Sequence, residues 1–119
     1  MAKVERLTEL VGELQARITK SRKSDLSVTV GYTQEYAVYV HENLEAQHAP
    51  GKQAKFLEQP ARELQPELKE MIGRLSKQKK PLEQVLLLAG LRLQAASQRI
   101  VPVDTGALKN SAFTRVDKL

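Results

Sequence analysis

The apolar positions of the first twenty residues recur at spacings of three and four. That period is typical of one face of an α-helix, so the pattern predicts an N-terminal helix over residues 1–20. The polar stretch that follows, residues 21–25, predicts a loop. The apolar face of the predicted helix is formed by Val4, Leu7, Leu10, Val11, Leu14 and Ile18.

The pattern changes to strict alternation after the predicted loop. Leu26, Val28 and Val30 alternate with hydroxyl side chains, which predicts a half-buried strand over residues 26–31. Residues 32–44 fit both a helical face and a strand, and we favour a short helix. Residues 45–54 contain Pro-Gly and polar side chains, so they predict a loop or an extended arm.

The second half of the chain contains two long apolar stripes of helical period. They predict helices over residues 57–79 and 81–100, with Pro66 kinking the first or delaying its start. Alternation returns at the end of the chain and predicts a strand over residues 112–116, paired with the strand at 26–31. The fold class is therefore α+β, mostly helical: two long helices and an N-terminal helix packed on a small antiparallel sheet.

Composition adds bounds to this picture. The 119 residues fit a single domain over 1–119, and aromatic residues make up only 4%, so the core is mainly aliphatic. No cysteine is present, which excludes disulfides and thiolate metal sites. The longest apolar run, residues 85–91, is far shorter than the roughly 20 residues that span a bilayer. We expect no membrane segment and no signal peptide.

Positive charge is concentrated in the second half of the chain. Residues 1–50 contain six Lys/Arg and seven Asp/Glu, whereas residues 51–119 contain thirteen and seven. Most of these cations alternate with acids, as on solvated helix faces. A tight cluster near Pro81 leaves open an alternative function, a small basic module that binds nucleic acid. Its candidate contacts are Lys69, Arg74, Lys77, Lys79 and Lys80.

The triplet Asp104-Thr105-Gly106 matches the active-site sequence of aspartic proteases. Such an enzyme needs two carboxylates about 3 Å apart on loops of a mostly β fold. Here a Leu-rich helix precedes the triplet and only thirteen residues follow it. We therefore predict a structural corner over residues 102–111, in which Pro102 forces extended backbone, Asp104 caps a short helix and Leu108 faces the core. Thr105 is expected to add a second local hydrogen-bond acceptor.

Other candidate chemistry is sparse. His41-Glu42 and His48 lack the spacing of a metal-binding motif, and no glycine-rich phosphate loop occurs. The sequence predicts no catalytic residue, no cofactor site and no metal site, so we expect a protein that is not an enzyme.

Three blocks of the sequence together resemble a family of phage proteins. V28-T-V-G-Y with Y36-A-V-Y-V-H-E42, then G51-K-Q-A-K-F-L-E-Q-P-A-R-E63, is similar to the "YA-x-x-hydrophobic-E…FL-x-P-A" signature of head–tail joining (neck) proteins of tailed bacteriophages. V101-P-V-D-T-G-A-L-K-N-S111 resembles the "P-V-D-T-G-x-L-x-x-S" block of the same family. The resemblance covers residues 26–63 and 91–116. In the family the Asp-Thr-Gly block usually comes first, so the order here is permuted.

The resemblance implies a structural virion protein that forms part of a ring at the head–tail junction, as a minor capsid, head-completion or tail-joining component. It implies contacts with other copies of the chain, with portal or adaptor proteins, and with tail-terminator or tail-tube proteins. Contact with packaged DNA is compatible with that position. Assembly would take place in the cytoplasm of the bacterial host. The candidate interface residues are Tyr36, Tyr39, His41, Glu42, Lys55, Phe56 and Leu57. For Phe56 and Leu57, burial in the core of the chain fits the sequence at least as well.

Overall fold

A computed structural model of the chain describes residues 3–8, 14–19, 26–44, 51–102 and 106–118. Within these ranges, four strands form one antiparallel sheet in the order β1-β2-β3-β4, and five helices accompany it. The predicted α+β class, with helices packed on a small antiparallel sheet, is confirmed. The strands are β1 Lys3–Thr8, β2 Leu14–Thr19, β3 Leu26–Tyr32 and β4 Ala112–Lys118; the helices are α1 Ala37–Glu42, α2 Glu58–Glu63, α3 Gln65–Lys77, α4 Leu82–Ile100 and α5 Ala107–Asn110.

The predicted N-terminal helix over residues 1–20 is wrong, because β1 and β2 occupy that part of the chain. β2 pairs with β3 along its whole length, with Ala16 opposite Val30 and Ile18 opposite Val28. A spacing of four residues brings two side chains to the same side of a helix, but also to the same side of a strand. Pairing with β3 makes this segment a strand rather than a helix and buries Ala16 and Ile18.

The predicted helix over residues 57–79 is formed as two shorter helices. α2 ends at Glu63, Leu64 separates it from α3, and Pro66 lies in the first turn of α3. A proline is tolerated there because its missing N–H would have no partner within the helix. The second long helix follows its prediction closely, since α4 begins directly after Pro81 and ends at Ile100.

α4 packs across β3 and β4, and one glycine allows the close approach. A Cβ atom on Gly90 would lie 2.7 Å from methyl carbons of both Val28 and Thr114. A larger residue would therefore push the helix away from the sheet. The fully buried side chains around this contact include Ile18, Val28, Val30, Tyr32, Phe56, Leu57, Val85, Leu86 and Leu93.

The sheet face that points away from α4 carries polar side chains. Val28 contacts α4, so its neighbour Thr29 points to the other side. Arg17, Thr29 and Arg115 lie side by side on three neighbouring strands. Thr29 donates a 2.8 Å hydrogen bond to Asp117, which also pairs with Arg115 at 2.7 Å. This side also carries Phe113, opposite Gly31. Ser27 and Thr29 are buried on it, so β3 is buried on both sides and not half-buried as predicted.

The ambiguous segment 32–44 contains the short helix α1, and β4 pairs with β3 as the C-terminal alternation predicts. Residues 51–54 form no helix or strand. The remainder of the predicted arm, residues 45–50, lies outside the described residues.

Candidate interaction site

His41 joins α1 to the start of α2. Its backbone carbonyl accepts a 2.7 Å hydrogen bond from the N–H of Lys55. Its ring Nε2 accepts a 3.1 Å hydrogen bond from the N–H of Glu58, the first residue of α2. Because Nε2 accepts, Nδ1 carries the ring proton and donates it to the Glu42 carboxylate, 3.1 Å away. The imidazole is thus held in one neutral tautomer inside the core.

Phe56 lies between two other rings and extends this junction into the sheet. Its ring centroid is 5.1 Å from those of Tyr32 and His41, and both pairs are edge-to-face, the arrangement that ring quadrupoles favour. The Tyr32 hydroxyl shares a 2.6 Å hydrogen bond with Ser97 of α4. Burial raises the pKa of the Tyr32 phenol from its ordinary 10.0 to about 12, while the hydrogen bond to Ser97 acts in the opposite direction.

Glu42 and Lys55 form an ion pair at the rim of this junction. Lys55 also lies 3.6 Å from the Glu58 carboxylate. Its backbone has φ +56°, in the left-handed region where side chains other than glycine are uncommon. The hydrogen bond from its N–H to His41 fixes this turn, so Lys55 contributes to the local fold as well as to the surface.

The third sequence block joins the same end of the molecule through Ser111. Its carbonyl accepts a 3.2 Å hydrogen bond from the N–H of Thr33, and its hydroxyl accepts one of 3.3 Å from the N–H of Gln34. The block 51–63 is tied to the end of α4 by a 2.9 Å bond from the N–H of Gln53 to the Ile100 carbonyl. The three blocks that carry the family resemblance therefore meet in space. A serine three residues after Leu108 is a local signal for a hydrogen bond back to that carbonyl, which the Ser111 hydroxyl donates across 2.8 Å. No local pattern predicts its contacts with Thr33 and Gln34.

The predicted corner is described only in part. Pro102 and Leu108 are buried. Gly106 has φ +82° and is the N-cap residue of α5, so the conformation at this position favours glycine. The N-cap position of the short helix is therefore occupied by Gly106 and not, as predicted, by Asp104. Asp104 and Thr105 lie outside the described residues, and the hydrogen bonds predicted for their side chains stay a prediction.

The structure divides the seven candidate interface residues into two groups. His41, Phe56 and Leu57 are fully buried within the chain, so the prediction that they lie at an interface is wrong, because packing against the sheet and α1 uses their surface. Tyr36 and Tyr39 are 43% and 69% exposed. Leu44, which sequence reasoning missed, is 72% exposed. We call Tyr36, Tyr39 and Leu44 the α1 patch; Glu42 and Lys55 lie partly exposed beside it.

The predicted basic residues lie on the outer side of α3 and in the turn that follows it. Arg74, Lys77 and Lys79 are exposed, and Lys80 is partly so. A shallow, open depression lies along the outer side of α3 and is lined by Pro66, Lys69, Glu70, Gly73, Arg74 and Lys77, with Gln78 at its end. We call these α3 residues the basic groove.

Within the described part of the chain, no three His, Asp or Glu side chains converge as metal ligands. The helices described here include none with the length and apolar character needed to cross a bilayer.

Comparisons of the chain with protein-family models, with curated proteins and with solved structures find no match.

Proposed function

We propose that this chain is a structural subunit of the head–tail connector (neck) of a tailed bacteriophage and assembles there as a ring without performing chemistry. The observation that carries the proposal is the α1 patch, an exposed aromatic and aliphatic surface within the sequence block that resembles neck proteins. The alternative, a free-standing basic module that binds nucleic acid, would use exposed tyrosines to stack on bases, but no Lys or Arg lies between Lys23 and Lys52 to contact phosphates beside them.

The arrangement of the three sequence blocks supports the proposal. They are separated along the chain, yet hydrogen bonds of Ser111, Gln53 and His41 join them at one end of the fold. A permuted order is compatible with a conserved three-dimensional arrangement if the blocks still meet. One row of paired residues crosses the sheet from β1 to β4: Lys3 pairs with Thr19, Thr19 with Ser27, and Ser27 with Asp117. The outer ends of β1 and β4 are therefore three strand spacings apart, about 14 Å, a gap that a short connection can close.

The α1 patch has the character of a protein contact. Tyrosine is enriched at the buried centres of interfaces, where its ring contributes area and its hydroxyl a hydrogen bond. The Tyr39 hydroxyl accepts a 3.3 Å bond from the Asn43 amide, which holds the exposed ring along the surface at the end of α1. A patch that contacts a different surface of the next copy makes a head-to-tail interface, and such interfaces generate a closed ring when the rotation from copy to copy closes.

The sheet topology is compatible with the same geometry. β1 and β4 are the edge strands, and all neighbouring strands are antiparallel. With four strands, the two edges run in opposite directions. A copy placed head-to-tail would therefore bring its β1 antiparallel to β4 of its neighbour, with the helices of both copies on the same side.

In this proposal the partners are further copies of the chain, the portal or adaptor proteins above the ring and the tail-terminator or tail-tube proteins below it. Assembly occurs in the host cytoplasm, and the product is part of the virion. The chain needs no cofactor or metal for this role, since it acts through contact surfaces alone.

Immunogold labelling of virions of the phage that carries this gene tests the proposal. We expect the label at the head–tail junction, and we expect an amber codon in the gene to leave heads and tails unjoined. A virion without the chain, or normal virions produced in the absence of the chain, would contradict the proposal.

A further inference from the structure

The outer face of α3 combines exposed cations with an opening to the helix backbone. At 100° per residue, Pro66, Lys69, Gly73 and Lys77 fall within one third of the helix circumference. The buried residues Leu68, Ile72 and Leu75 occupy the opposite side. The basic groove therefore faces directly away from the core, where a large partner has access.

The cations of this surface are not neutralised within the described part of the chain. Arg62, Arg92 and Arg115 each pair with a carboxylate. Lys69, Lys77, Lys79 and Lys80 have no ion pair among the described residues, whereas Arg74 pairs with Glu70 at 3.4 Å. Within these residues, Lys69 and Lys77 are thus unpaired on α3, and Lys79 and Lys80 are unpaired in the turn that follows it.

Two residues of this surface are unfavourable for the stability of the fold itself. Gly73 lies inside a helix, where glycine is a poor residue, although a Cβ atom there would meet nothing within 4 Å. Lys79 follows the C-cap of α3 with φ +61°, and its N–H bonds to the Ser76 carbonyl. Glycine is the preferred residue at that left-handed position. The absence of a side chain at Gly73 leaves the groove open, and Lys79 adds a positive charge. Both residues therefore favour binding of an anionic partner that comes close to the helix.

We infer that the basic groove, extended by Lys79 and Lys80, binds the phosphate backbone of duplex DNA. From Lys69 to Lys77 the helix rises about 12 Å, a length of duplex that carries about seven phosphate charges. Lysine ammonium groups contact phosphates without reading bases, so binding is independent of DNA sequence. This inference does not require the ring, because a single subunit presents the whole surface.

Fluorescence anisotropy with two unrelated duplexes of about 20 base pairs tests the inference. The KCl concentration is varied from about 25 to about 200 mM, because the affinity of phosphate contacts falls steeply with salt in this range. We expect equal affinity for both duplexes. We expect the slope of log K against log[KCl] to be about −3.6 for four lysine contacts, since each phosphate contact contributes about −0.9.

Two matched triple variants distinguish the contribution of this surface to DNA affinity from the contribution of net charge. Lys69→Gln/Lys77→Gln/Lys80→Gln should lose at least tenfold in affinity at low salt and flatten the slope by about 2 or more. Arg62→Gln/Arg99→Gln/Lys118→Gln removes the same charge elsewhere and should change affinity less than threefold. Equal losses in both triple variants, or no binding of the unmodified chain at 25 mM KCl, would overturn the inference.

Gly73 supplies a second matched pair. Gly73→Glu and Gly73→Gln add side chains of the same size in open space, and only the first adds negative charge. We expect Gly73→Glu to bind duplex at least fivefold more weakly than Gly73→Gln, with both variants folded by circular dichroism. Equal affinities would contradict the inference. Tighter binding of a poly-glutamate peptide than of duplex, lost in the lysine triple variant, would overturn it and assign the groove to an acidic protein.

Discussion

The imidazole Nε2 of His41 accepts the backbone N–H of Glu58 across 3.1 Å, so a buried side chain of α1 binds the N-terminus of α2. The first N–H groups of a helix have no partner within the helix. Histidine supplies one here while its Nδ1 contacts Glu42 and its ring packs on Phe56. One residue thus connects two of the three blocks that carry the family resemblance.

Substitution of His41 by two residues of similar length measures this bond. His41→Gln retains an acceptor for the Glu58 N–H, whereas His41→Met does not. We expect the glutamine variant to be more stable by about 1 kcal/mol, the usual net contribution of a hydrogen bond. Urea unfolding gives the difference, and equal stability of the two variants would show that the bond is not formed.

Burial of the Tyr32 phenol predicts a specific alkaline instability. The folded pKa of Tyr32, about 12, lies above its ordinary value of 10.0. The folded state therefore holds the proton more tightly, and stability that is complete below pH 10 is lost as the pH rises towards 12. The loss is on the order of 3 kcal/mol, since each pKa unit corresponds to about 1.4 kcal/mol.

Tyr32→Phe is the control for that titration. We expect it to be less stable at pH 8 by about 1–2 kcal/mol, because Ser97 loses its partner. The stability difference between the unmodified chain and Tyr32→Phe should shrink between pH 10 and pH 12 in urea unfolding curves. A constant difference over that range would contradict the assignment.

Two helical glycines predict opposite effects of alanine. Gly73→Ala should stabilise the fold by about 0.5–1 kcal/mol, because the added methyl group meets open space and alanine is the better helix residue. Gly90→Ala should destabilise it by about 1–3 kcal/mol, because its Cβ would collide with Val28 and Thr114. Thermal unfolding followed by circular dichroism measures both, and effects of the same sign would refute the packing described for α4.

Lys79→Gly should stabilise the fold by about 1 kcal/mol, since φ +61° is strained for lysine and free for glycine. Lys80→Gly, one residue further along the turn, serves as the neighbouring control and should give no gain. If both changes lower stability equally, Lys79 is not held in the left-handed conformation.

Sequence patterns identified the strands that alternate and the helix α4, but not the N-terminal hairpin. Six-residue strands give few alternations, and the spacing of four between positions 14 and 18 fits a helix and a strand equally. The segment is a strand because β3, from a different part of the chain, pairs with Ala16 and Ile18. Local period alone cannot contain that information.

The same limit applies to the candidate site. The motif containing Phe56 and Leu57 was visible in the sequence, but sequence alone does not show which apolar residues of a motif face inward. The tertiary fold makes the distinction: Phe56 is buried against His41 of α1, whereas Tyr36 and Tyr39 are exposed. The exposed cations were easier to predict, because charged side chains stay at the surface unless they are paired.

The central claim is that copies of the chain join through the α1 patch. Light scattering coupled to size-exclusion chromatography, over a wide range of protein concentration, tests it with Tyr36→Ser/Tyr39→Ser and the control Leu87→Ser/Leu91→Ser, which alters exposed leucines of α4. We predict a closed ring of one defined mass for the unmodified chain and the control, visible by negative-stain microscopy, and monomers for the tyrosine variant. A chain that stays monomeric at every concentration, or a tyrosine variant that still forms the ring, would contradict the claim.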